Sequence, residues 1–349
     1  MHILLCSSYP HLPDTRGGLQ TSTDELCLAL QDKGIGVTVL CGALGDGGGG
    51  PVLRDVSLGY PVIRAPDALA ALPMVVAALD PSAIIVQSGY SLAAMLAVAL
   101  ETGCPTAVYL HNVELHRIGG TLPPDPHILY LANSRFTADR WRDSFGIVSY
   151  ILPPVVRPAR YQAAHTGDRV LFVNPVPEKG IERVADLATA NPDVPFLIAE
   201  SWQIGDDWRA WLRQRFGGLP NVDWRPATDD VRVLFEDARL LLMPSVWEEA
   251  YGRIVIEAQL SGLPVLASNR GALPDTVGRG GGALDLHAPL EIWTHALRSL
   301  YFDTATWQDA SHAALTHARR EILDGLRALD DVLARLAQHI AQNAPAVRG

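Results

Sequence analysis

Lysine is almost missing. Of the 28 basic residues only Lys33 and Lys179 are lysine, and no block of Lys or Arg stands out. With a net charge of −10, this argues against a nucleic-acid ligand and leaves at most a weak peripheral membrane contact. Cysteine is scarce too. Cys6, Cys27, Cys41 and Cys104 show no CxxC spacing and sit in apolar surroundings, so they read as reduced core residues. No apolar run approaches the length of a membrane span, and Ile3 to Cys6 is too short for the core of a secretory leader. A cytoplasmic location is expected. No Asp-x-Asp and no His cluster with ligand spacing occurs, so no metal site and no cofactor are expected. No GxGxxG follows Ile3 to Cys6, which speaks against a nicotinamide dehydrogenase. The length, 349 residues with 48% hydrophobic side chains, suggests two cores and about two domains.

What the chain does have is concentrated in Pro244 to Ser268. Leu240 to Met243 is an apolar run ended by Pro244, the pattern of a buried parallel strand leaving its sheet. An acidic turn carrying Glu248 and Glu249 follows. Arg253 to Leu260 then shows helical spacing, Gly262 stops it, and Pro264 to Ser268 is a second short strand. This is a βαβ unit, and ligands of open α/β sheets bind at the carboxyl ends of strands. Glu249 and Glu257 have seven residues between them and border the helix start. Backbone N–H groups near Tyr251, Gly252 and Arg253 have no intrahelical partners there and face anions favourably. A ligand with phosphates in the middle and hydroxyls at both ends, such as a nucleotide sugar, suits this arrangement. Glu248 reads as an ordinary partner of the helix dipole.

The stretch resembles the signature of family 4 of the retaining glycosyltransferases. Pro244-Ser245, Glu249, Tyr251-Gly252, Glu257-Ala258 and Gly262-Leu263-Pro264-Val265 match it in order, and Gly271-Ala272-Leu273-Pro274-Asp275 follows. The resemblance covers the whole chain, densely in residues 170–285 and sparsely before them. It implies an α/β protein of two Rossmann-like domains facing a central cleft, the glycosyltransferase B (GT-B) fold. The domains are expected at 1–155 and 156–310. The Pro-rich Leu152 to Pro158 joins them, and a helix in 311–349 returns to the first. That helix reads as docked on its own protein through Leu315, Ile322, Leu326, Leu329, Leu333, Leu336 and Ile340, with a dimer seam as the alternative.

The resemblance also assigns residues. Gly17 and Gly18, in the loop after the first strand, approach the donor phosphate; otherwise they form a plain βα turn. Asp46 to Gly50, with four consecutive glycines, reads as a surface loop. His111 ends the strand Thr106 to Leu110 and is implied to lie beside the reacting sugar. Ser134 reads as a helix N-cap. Lys179-Gly180 follows the strand Val170 to Val173, where the family places a cation for the diphosphate. The family's preceding Arg is replaced by Asn174-Pro175. Arg253 is the nearest substitute cation, unless its guanidinium lies on the surface or pairs with Glu248 or Glu249. Trp224 and Arg225 either border the nucleotide base or simply pack.

The implied activity moves a sugar from a UDP- or GDP-linked donor to an acceptor hydroxyl, with retention and without metal. The acceptor, a carbohydrate, lipid or small molecule, is not encoded in any motif. The alternatives are a nucleotide-sugar epimerase or hydrolase on the same fold, and a sensor that binds donor without turnover.

Overall fold

The computed structural model describes residues 1–44, 52–164, 166–202 and 204–343. The loop Asp46 to Gly50 therefore lies outside the described residues. The chain divides into two compact units, residues 1–155 with 324–349, and residues 156–323.

The first unit contains β1 (His2–Pro10), α1 (Gly18–Asp32), β2 (Gly36–Gly42), β3 (Leu53–Asp55), β4 (Val62–Ala65), α2 (Ala68–Leu79), β5 (Ala83–Gln87), α3 (Leu92–Glu101), β6 (Thr106–Leu110), β7 (Leu129–Ala132), α4 (Arg135–Phe145) and β8 (Tyr150–Ile151). Its sheet runs in the order β3-β4-β2-β1-β5-β6-β7-β8. All neighbours are parallel except the β3–β4 pair. The strands are apolar on both faces, as a sheet covered on both sides requires. Leu4, Ile84 and Val108 pack to one side with α2 and α3. Ile3, Ile85 and Tyr109 pack to the other with α1.

The second unit contains β9 (Arg169–Val173), α5 (Ile181–Ala190), β10 (Phe196–Ala199), α6 (Asp206–Phe216), β11 (Val222–Arg225), α7 (Arg232–Glu236), β12 (Ala238–Met243), α8 (Arg253–Gln259), β13 (Val265–Ser268), α9 (Leu273–Val277), β14 (Gly281–Leu284) and α10 (Leu290–Phe302). Its sheet, β11-β10-β9-β12-β13-β14, is parallel throughout. The three central strands β10, β9 and β12 therefore deliver their carboxyl ends side by side.

α2 runs through Pro73 without a break. Ala68, Ala71, Leu72 and Val75 are buried along its length, and that packing outweighs the lost N–H of one residue. α6 begins at Asp206, with Asp206 and Asp207 in its first turn, where acids suit the helix dipole.

The terminal helix α11 starts at Thr304 and runs to Asn343. Asp303 accepts the N–H groups of Ala305 and Thr306 at 3.0 and 3.1 Å and so separates it from α10. Its buried stripe is Ala314, Ala318, Gly325, Leu329, Val332, Leu336 and His339. Leu326, assigned to the stripe from the sequence, is 38% exposed. Leu329, Val332 and Leu336 belong to the core of the first unit.

Candidate functional site

In the second unit three strand ends meet. After β9 the chain turns through Asn174 and Pro175 to Lys179 and Gly180. Gly180 has φ +84°, and a Cβ there would run into the Pro244 carbonyl oxygen after β12, so the two loops touch backbone to backbone. The N–H groups of Val246 and Trp247 donate to the Glu178 carbonyl at 2.9 and 3.2 Å. From the other side, Ser268 Oγ donates to the Ser245 carbonyl at 2.7 Å, and the Ala272 N–H to that of Glu249 at 2.8 Å. The acidic turn is thus clamped between its neighbours.

Those clamps place Lys179 against Glu249. Lys179 Nζ lies 2.6 Å from Glu249 Oε1. The same oxygen accepts Ser245 Oγ at 2.7 Å and Trp247 Nε1 at 2.8 Å. Both side chains are nearly buried, 11% and 9% exposed. Glu249 Oε2 makes no hydrogen bond to the described residues, so its acceptor capacity remains open. Ser245, quoted from the sequence only as part of the signature, and Trp247, which sequence reasoning passed over, both join the site.

Arg253 and Glu257 form a second pair. Arg253 Nε donates to Glu257 Oε1 at 2.6 Å, and Nη2 to the Tyr161 hydroxyl at 2.9 Å. The guanidinium does not lie on the surface, and Glu249 is not its partner: residues four apart share a helix face, whereas Glu249 is taken by Lys179. Both members are buried, 7% and 8% exposed. Gly252 starts α8 with φ +83°, a conformation open to glycine. Tyr251 is buried, which pushes its phenol up, and its carbonyl accepts Thr276 Oγ1 at 2.6 Å. Arg225 ends β11 and pairs with Asp237. Trp224, 37% exposed, packs edge-on against Phe216. The structure does not bring these two beside Lys179 and Glu249.

In the first unit Gly17 caps α1 in extended backbone and Gly18 is its first residue. A Cβ at Gly18 would meet nothing within 4 Å, and at Gly17 chiefly Gln20 Oε1 at 2.8 Å. Neither conformation nor packing demands glycine at 18, and the bare backbone there stays uncovered.

His111 is 7% exposed, its ring lies against Tyr109 at 3.9 Å between centroids and a 49° tilt, and its backbone N–H donates to Ser88 Oγ at 2.8 Å. Burial lowers its pKa to about 3, so the ring is neutral at pH 7. Its Nε2 is buried without a hydrogen-bond partner, as are Gln87 Nε2 and Asn133 Oδ1. Gln87 ends β5, and His111 and Asn133 directly follow β6 and β7, all in step with the face that carries Ile85, Tyr109 and Leu131. Unpaired buried polar atoms are uncommon and point to a missing ligand or water. Sequence reasoning found His111 but neither Gln87 nor Asn133. Ser134, read as an N-cap, accepts the Thr137 N–H at 3.0 Å.

Two parallel α/β units of this kind are shared with solved glycosyltransferase structures. Sucrose-phosphate synthase of Thermosynechococcus elongatus superposes with a TM-score of 0.79 at 15% identity, over 97% of this chain and 99% of that one. HepE of Anabaena, crystallised with UDP-glucose, superposes with 0.76 at 16% identity, over 96% and 100%. The fold is GT-B.

Residues 167–302 match the family model described as glycosyl transferases group 1, and residues 16–160 the one described as glycosyltransferase family 4. The chain belongs to the group 1 and family 4 glycosyltransferases. A D-inositol 3-phosphate glycosyltransferase of Paenarthrobacter aurescens is 41% identical over 86 residues, 24% of this chain and 21% of that relative. A 2-deoxystreptamine glucosyltransferase of Streptomyces kanamyceticus is 39% identical over 114 residues, 29% and 27% of the two chains. The matched stretch thus spans about a fifth to a quarter of these relatives' lengths. No helix among the described residues is long and apolar enough to cross a membrane.

Proposed function

We propose that the protein is a cytoplasmic transferase. It moves a sugar from a UDP- or GDP-linked donor to an acceptor hydroxyl, with retention of configuration and without a divalent metal. The observation that carries this is the meeting of Lys179 and Glu249 at 2.6 Å on the carboxyl edge of three central parallel strands. A carboxylate with one oxygen saturated and the other open suits a sugar hydroxyl. An adjacent ammonium suits the diphosphate that gains charge as it leaves. Glu257, oriented by Arg253, is assigned to the ribose hydroxyls. The uncovered backbone at Gly17 and Gly18 is assigned to the donor phosphate, and His111 to a sugar hydroxyl through its unpartnered Nε2. The names of the relatives support sugar transfer, and the UDP-glucose held by HepE supports the donor class.

In the proposed step the acceptor oxygen bonds to the anomeric carbon on the face from which the phosphate departs. The bond from that carbon to the phosphate oxygen breaks, and the acceptor's proton passes to the leaving phosphate. Lys179 stays beside Glu249 and meets that phosphate with its remaining ammonium N–H donors as charge develops.

The test incubates the protein with UDP- and GDP-sugars, with and without a panel of hydroxyl acceptors, in EDTA. NMR then follows the anomeric coupling of the product. Transfer only in the presence of acceptor, with the coupling retained, is expected. Equal donor consumption without acceptor would make the protein a hydrolase or epimerase. Activity lost in EDTA and restored by Mg²⁺ or Mn²⁺ would end the metal-independent reading.

A further inference from the structure

Lys179 is held by more than its ion pair. Its ammonium lies 4.6 Å from the ring centroid of Trp247 and 5.3 Å from that of Trp202. The two indoles stand 5.7 Å apart at 60°. A cation within about 6 Å of an indole face is attracted by the ring quadrupole, and here two rings act on one ammonium. The Trp247 ring is fixed by its N–H on Glu249. Trp202 follows β10, and its backbone N–H donates to Asn174 Oδ1 at 2.9 Å. Asn174 adopts a left-handed φ of +67°. Asn takes that region more readily than most residues with a side chain.

We propose that Asn174 and Trp202 are positioning residues for the Lys179 ammonium. The Asn174 side chain pins the loop after β10 so that the Trp202 indole, opposed by Trp247, confines the ammonium beside Glu249. A lysine side chain has four torsions to immobilise when it meets an anion, and confinement removes much of that cost beforehand. The chain thus meets the diphosphate with one pre-ordered cation. An arginine at position 174 would lack the acceptor oxygen that holds Trp202. The identity of the anion rests on the donor reading above; the clamp itself does not.

With two lysines in the chain, ¹³C,¹⁵N-lysine labelling yields two sets of side-chain NMR signals, assigned with Lys33→Arg. In the wild type the Lys179 ε-methylene resonates upfield of Lys33 through the ring currents. In Trp202→Ala and Asn174→Ala it moves toward the Lys33 position, and in Trp202→Phe it stays upfield. Inorganic pyrophosphate perturbs the Lys179 signals. Its affinity falls roughly tenfold in Trp202→Ala and Asn174→Ala and is largely kept in Trp202→Phe. Circular dichroism checks that each variant is folded. Wild-type Lys179 signals that coincide with Lys33, or that Trp202→Ala leaves unmoved, would overturn the proposal. A clamped Lys179 that ignores pyrophosphate would uphold the clamp and sink the donor reading instead.

Discussion

At the scale of single residues, the two acid–base pairs of the second unit have different tasks. Ribose contacts are the same in ground and transition states, so Glu257→Gln weakens nucleotide binding and barely changes kcat. The transferred sugar moves during reaction, so Glu249→Gln chiefly lowers kcat. Calorimetry with UDP or GDP and steady-state kinetics separate the two; equal losses of nucleotide affinity with kcat unchanged would refute the division. Arg253→Ala removes the ion pair from the buried Glu257 and costs about 3 kcal/mol of stability, read as a lower denaturant midpoint. His111 sets a pH dependence. Its folded pKa, about 3, lies below the ordinary 6.5, so the unfolded chain binds the proton first. Stability present above pH 6.5 is lost as pH falls through this window, on the order of 2 kcal/mol by pH 5. His11, lowered to about 4, adds to the slope. His111→Gln removes only its own share, and urea midpoints at pH 7.5 and 5 should therefore lie closer together in that variant.

At the scale of elements, the loops after β9 and β12 act as one piece because Gly180 lets their backbones touch. Gly180→Ala forces a Cβ into the Pro244 carbonyl and strains a left-handed φ, at a cost of about 2 kcal/mol or more. Gly18→Ala meets no atom and replaces a helical glycine, so it is neutral or stabilising by up to ~1 kcal/mol. If the bare backbone at Gly18 faces the donor, that stable variant still loses transfer activity. Thermal melts and activity assays of both variants check the contrast. Position 174 behaves likewise as part of an element. Asn174→Arg is not a simple restoration of the family's cation, because it removes the acceptor for the Trp202 N–H.

At the scale of the whole molecule, α11 connects the two units in sequence and contributes to the core of each. Ala318 and Ile322 pack in the second unit, and Leu329, Val332 and Leu336 in the first. Leu329→Ala opens a cavity beneath α1 and the sheet and costs about 2–5 kcal/mol. Leu326→Ala, on the exposed side, costs less than about 1 kcal/mol. Chemical denaturation of the two variants distinguishes them, and equal losses would show that the stripe read from the sequence, rather than the observed one, is buried.

The α/β class, most strand positions and the acidic turn were legible because each depends on neighbours in the chain. Apolar runs ended by Pro or Ser make parallel strands, and glycine spacing marks turns. The motif around Glu249 and Glu257 was visible for the same reason. Pairing was not. Lys179 chose Glu249 and Arg253 chose Glu257 because strand order brings β9 beside β12 and a helical turn brings residue 253 over 257. Trp202 reached Lys179 only through the adjacency of β9 and β10. That Gln87 Nε2 and Asn133 Oδ1 are buried without a partner beside His111 follows from laying three strand ends side by side. The exact face of α11 also escaped sequence reading, since Leu326 and Leu329 look alike until the sheet decides which one it covers.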